Sequence, residues 1–130
     1  MNLLHIILGI AIFIIFLITG QFMDAYFPDK DAMSSDLRLL ARSRHIYILF
    51  SALIHLSLGV YLRMHPQRWR KILQFAGSFF LTLGSVLLIW AFTTEVFQTR
   101  QFSDLSRYGI IISAIGVLLH AIARILLKSK

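Results

Sequence analysis

Residues 41–71 read ARSRHIYILFSALIHLSLGVYLRMHPQRWRK. The centre, 46–62, is seventeen residues without a formal charge. At 1.5 Å per helical residue this is long enough to cross most of a bilayer's hydrocarbon core, so the stretch predicts a membrane helix. Within it Arg44, Tyr47, Ser51, His55, Gly59 and Arg63 recur at spacings of three and four, which sets them on one face while Leu, Ile, Val and Phe cover the rest. That face is expected to look inward. A histidine in mid-membrane is costly without a partner, which makes His55 the sharpest pointer to something beyond packing.

Three further apolar runs extend the reading, at 3–20, 72–94 and 108–127. Hydrophobic residues make up 58% of the chain, charged residues 15%, and mean hydropathy is +0.76. A soluble domain carries about 25% charged residues, so this balance belongs to a membrane protein. The expectation is an all-α integral membrane protein of one domain over 1–130, with four transmembrane helices in an antiparallel up-down bundle and short loops. Such loops leave no room for a catalytic globular head.

The chain has no cysteine, which removes disulfides and thiolate chemistry, and no phosphate loop, catalytic triad or zinc-hydrolase motif occurs. The net charge of +7 does not point to nucleic acid, because the basic residues border apolar runs and serve to orient them in a membrane. Residues 63–71 hold four of the thirteen basic residues and no acid, with Pro66 separating the second and third helices. Their density favours a cytoplasmic placement of this turn and hence of both termini, in a plasma or inner membrane. The first run is read as a retained span: no Lys or Arg precedes it and no A-x-A-like cleavage site follows.

Each span carries small or polar residues at helical spacing. In the first, His5, Gly9 and Gly20 share a face with Phe13 and Phe16, and His5, one turn from the start, is expected at the interface. The third carries Gln74, Ser78, Thr82 and Ser85 beside Gly77 and Gly84. The fourth carries Gly109, Ser113, Gly116, His120 and Arg124. Such residues let helices approach closely and hydrogen-bond across, so the stripes predict a packing seam. Pro28 and the D-K-D cluster at 29–31 mark a break before a new helix capped by Ser34 or Ser35. Ser103 is a candidate cap for the fourth helix, and Glu95 is expected in a surface ion pair with Arg44, Arg100 or Arg107. Arg38, Arg42 and Arg44 are expected to form a basic collar, a site for an anionic lipid headgroup or partner.

For function, the first reading is a non-enzymatic membrane component or accessory subunit, in a homo-oligomer or a larger complex and binding no nucleic acid. In that reading each histidine bonds a Ser, Thr or carbonyl of a neighbouring helix. The alternatives are a small oligomeric transporter or channel, and a protein binding haem b through His55 and His120 as axial ligands, with His5 as a substitute. The haem reading places two imidazoles at similar depth on facing helices, with Arg63, His65 and Arg124 towards the propionates. No separate metal ligand set is expected.

Overall fold

The computed structural model describes residues 1–26, 34–95 and 104–125. Four helices make it up: α1 (Asn2–Tyr26), α2 (Ser35–Tyr61), α3 (Arg68–Glu95) and α4 (Asp104–Ile125), with no strand among the described residues. All four are long and apolar enough to cross a membrane. The expected cap is present, since the Ser34 side chain accepts the Leu37 N–H at 3.4 Å. From there α2 runs for 27 residues, about 40 Å. It stops where Leu62 turns extended, its N–H still donating to the Leu58 carbonyl at 2.8 Å, four residues ahead of Pro66. Pro28, Ser103, Arg100, Lys128 and Lys130 lie outside the described residues.

The distribution of polarity is the reverse of a water-soluble bundle. Leu17, Phe50, Phe79, Val86 and Leu118 are exposed, whereas His5, Ser51, His55, Ser78, Ser85 and His120 are buried. The expected inward stripes are therefore observed, trimmed at their ends. Arg63 falls beyond the end of α2 and is exposed, as is Arg124, while Tyr47, Phe16 and Thr82 are half-buried. On α1, Phe13 faces out and Ile12 and Thr19 take its place inside.

The helices pack as two pairs, α1 with α2 and α3 with α4, and the pairs meet along α2 and α3. Glycines set how near the helices of a pair come. A Cβ on Gly9 would lie 2.9 Å from the Leu56 backbone nitrogen, and one on Gly59 2.9 Å from that of Ile6. In the other pair, a Cβ on Gly77 would meet the Gly116 carbonyl oxygen at 2.9 Å, and one on Gly84 the Gly109 oxygen at 2.9 Å. Backbone thus touches backbone in both pairs, which is how helices gain dispersion contact where burial from water supplies no drive. An apolar layer of Ile12, Ala41, Ile48, Ala52 and Phe92 fills the space between α1, α2 and α3. It divides the interior into two polar levels, one around the histidines and one around Glu95.

Candidate functional site

The first level is built by all four helices. Gly9 and Gly59 bring α1 onto α2, and this carries His5 against His55: their Nδ1 atoms are 2.9 Å apart and their ring centroids 5.1 Å apart. Nε2 of His5 lies 2.8 Å from Ser78 Oγ on α3, and the same oxygen is 3.2 Å from Nε2 of His120 on α4. Nε2 of His55 lies 3.1 Å from Ser85 Oγ, which is 2.5 Å from Ser51 Oγ. The result is one hydrogen-bonded chain, His120–Ser78–His5–His55–Ser85–Ser51. His5 and His55 are wholly buried and His120 is 8% exposed.

Both α3 serines are also within reach of their own helix: Ser78 Oγ is 2.9 Å from the Gln74 carbonyl oxygen and Ser85 Oγ 2.7 Å from that of Leu81. A hydroxyl has one proton to give, so each serine either bonds back to its helix or donates to an imidazole. Nδ1 of His120 is buried and makes no hydrogen bond among the described residues, and the same holds for Ser113 Oγ, two turns earlier on α4.

The expected axial pair must be seen in this setting. His55 and His120 are brought to one level, but His5 and Ser78 connect them. The Nε2 atoms are taken up by Ser85 and Ser78, and Gly77 is packed against His120 and Gly116. His5, expected at the interface, is instead the ring that touches both others, 6.1 Å centroid to centroid from His120. It is only one turn into α1, but the close approach at Gly9 and Gly59 turns its face to α2 and α3. Among the described residues no group of three or more His, Asp or Glu is arranged to hold a metal ion.

The second level lies about 10 Å along α2, seven residues before Ser51. Here Arg44 donates to the Glu95 carbonyl oxygen, its Nε is 3.9 Å from the Glu95 carboxylate, and Ser106 Oγ of α4 donates to that carboxylate at 3.2 Å. Arg44 and Glu95 are both buried, which corrects the expectation of a surface ion pair. Of the three arginines expected to form a collar, Arg44 is buried, Arg42 is exposed and Arg38 is half-buried. Two residues along a helix is a rotation of about 200°, so Arg42 and Arg44 take opposite faces.

Two smaller clusters escaped the sequence reading. Thr19 Oγ1 donates to the Phe16 carbonyl and stands 3.0 Å from Nδ1 of His45, whose ring stacks on Phe16 at 4.2 Å. At the α2–α3 turn, Gln74 accepts the His65 N–H at 3.0 Å and donates to the Arg63 carbonyl at 2.9 Å, while Arg70 donates to Nε2 of His65 at 3.2 Å. Only the polar residues flanking the turn signalled this latch. No protein family, no curated protein and no solved structure matches this chain.

Proposed function

We propose that the chain is a multi-pass integral membrane protein, one domain over 1–130, its four helices spanning a plasma or inner membrane as an antiparallel up-down bundle with both termini cytoplasmic. In this reading it is a non-enzymatic membrane component, working as a homo-oligomer or as an accessory subunit of a larger complex. The observation that carries it is the reversed polarity: apolar side chains outside, hydrogen-bonded imidazoles and hydroxyls inside. Lipid tails are as apolar as leucine, so bonds between polar groups and close backbone packing are what hold such helices together. The test is extraction of expressed protein from membranes. Resistance to alkaline carbonate with release by detergent, followed by a defined oligomer or a partner complex in native mass spectrometry, is expected. Release by carbonate overturns the reading.

A second reading, a small transporter, is favoured by the placement of the hydrogen-bonded chain. It crosses the joint between the two helix pairs, where His5 and His55 meet Ser78 and Ser85. Polar groups within a membrane bundle commonly line the path of an ion or proton.

A further inference from the structure

We propose that His5, His55 and His120, together with Ser51, Ser78 and Ser85, form a single proton-binding site loaded through Nδ1 of His120. The proposal rests on the transporter reading and names its ion.

Two Nδ1 atoms at 2.9 Å need one proton between them, on either ring. If Ser78 and Ser85 both donate to their carbonyls, Nε2 of His5 and Nε2 of His55 must each carry a hydrogen to bond the serine oxygens. The two rings then hold three N–H groups and one positive charge. If Ser78 turns its hydroxyl to Nε2 of His5, the rings hold two N–H groups and are neutral. The heavy-atom distances suit both states, so taking up or releasing a proton requires no movement of the site beyond rotation of a hydroxyl.

Nδ1 of His120, buried and without a hydrogen-bond partner among the described residues, supplies the receiving atom. An arriving proton forms an N–H bond there, the Nε2 proton of the same ring passes to Ser78 Oγ, and Ser78 gives its own hydroxyl proton to Nε2 of His5, which leaves Ser78 donating to Nε2 of His120 and accepting from Nε2 of His5. One proton and one charge enter, and nothing is oxidised or reduced. His5 and His55 then share the charge across their Nδ1 pair.

The surroundings agree with access from one end. On α1 the Met1 amino group is one turn from His5, on α3 Arg70 lies two turns before Ser78, and on α4 Arg124 is one turn beyond His120. On α2 the charged Arg44 lies beyond the apolar layer with Glu95. The described carboxylates, Asp24, Asp36, Glu95 and Asp104, all stand at the other end of the helices. No acid therefore fixes the charge permanently, while Ile48, Ala52 and Phe92 close the way onward.

The test uses the full chain, labelled with 15N at histidine, in proteoliposomes whose spans are first shown to be inserted by protease protection. Imidazole signals are followed from about pH 8 to about pH 5, the range in which histidines change charge. The expected result is a nitrogen–nitrogen coupling between Nδ1 of His5 and Nδ1 of His55, and uptake of one proton that moves all three rings together. Ser78→Ala should keep that coupling and the insertion, yet leave His120 to titrate alone. Three independent titrations in the unaltered chain, or none at all, overturn the proposal, and so does His120 still moving with the pair in Ser78→Ala. A chain that fails protease protection strikes the membrane reading instead.

Discussion

Nδ1 of His5 and Nδ1 of His55, fifty residues apart in sequence, face each other at 2.9 Å in the interior where α1, α2 and α3 meet. Two unprotonated nitrogens at that distance would repel through their lone pairs, so the contact requires a shared proton and ties the tautomer of one ring to that of the other. His5 also reaches Ser78, which bonds His120, so His5 is the ring in contact with both other histidines.

Unequal costs for His5 and His120 follow. His5→Ala leaves His55 Nδ1 and Ser78 Oγ each short of a partner and should lower stability by about 2 kcal/mol, the cost of stranding buried polar groups. His120→Ala removes one bond, to Ser78, and should cost about 0.6 kcal/mol, typical of a hydrogen bond between membrane helices. Unfolding titrations in mixed detergent measure both. An equal or reversed order would show that His5 is not the junction.

The glycines separate in the same way. At Gly116 a Cβ would lie 2.8 Å from both the Gly77 carbonyl oxygen and the Leu81 nitrogen, and backbone cannot swing aside. Gly116→Ala should therefore cost roughly 1 to 3 kcal/mol through overpacking. A Cβ on Gly20 would meet the His45 ring at 3.3 Å, an approach that a side chain relieves by a small shift. Gly20→Ala should stay within about 0.5 kcal/mol of the unaltered protein in the same titration.

These contrasts also mark what was legible in the sequence. Helix number and type followed from four long apolar runs, and the inward faces followed from the spacing of Ser51, His55, Ser78, Ser85, Gly116 and His120, because period and composition are local properties. Depth and pairing are not local. His5 looked interfacial because it stands near the chain start. Its burial depends on how near Gly9 and Gly59 let α2 come, which no property of α1 alone records. Glu95 looked like a surface group for the same reason, since its cover is Arg44 from α2 and Ser106 from α4.

For the buried pair, losing either partner should cost more than losing both. Arg44→Gln or Glu95→Gln leaves a charge in the interior and should destabilise by about 3 to 5 kcal/mol, whereas Arg44→Met with Glu95→Leu should recover most of that loss. Arg42→Gln, on the exposed face, should change neither stability nor the anionic lipid retained in native mass spectra. Loss of bound lipid in Arg42→Gln would assign a headgroup role to that residue.

The haem reading meets a direct measurement. With Nε2 of His55 and Nε2 of His120 both beside serine hydroxyls, protein purified from haem-replete cells should show no Soret band. A band that shifts on reduction and disappears in both His55→Ala and His120→Ala would mean that the helices repack around a macrocycle, with His5 released from its contact with His55.

Orientation is the remaining prediction, and the charges make it a close one. With both termini cytoplasmic, Arg63, Arg68, Arg70, Lys71, Arg124, Lys128 and Lys130 lie inside, against Lys30, Arg38, Arg42, Arg44, Arg100 and Arg107 outside. Seven against six is nearly no bias, so the decision rests on density: four of the seven fall in the short turn at 63–71, where basic residues weigh most. Cysteines placed at Asp31 and at the exposed Gln67 should react with a membrane-impermeant reagent from opposite sides of intact cells, Asp31 from outside. Labelling of Gln67 from outside would reverse the orientation and move the His120 entrance to the external face.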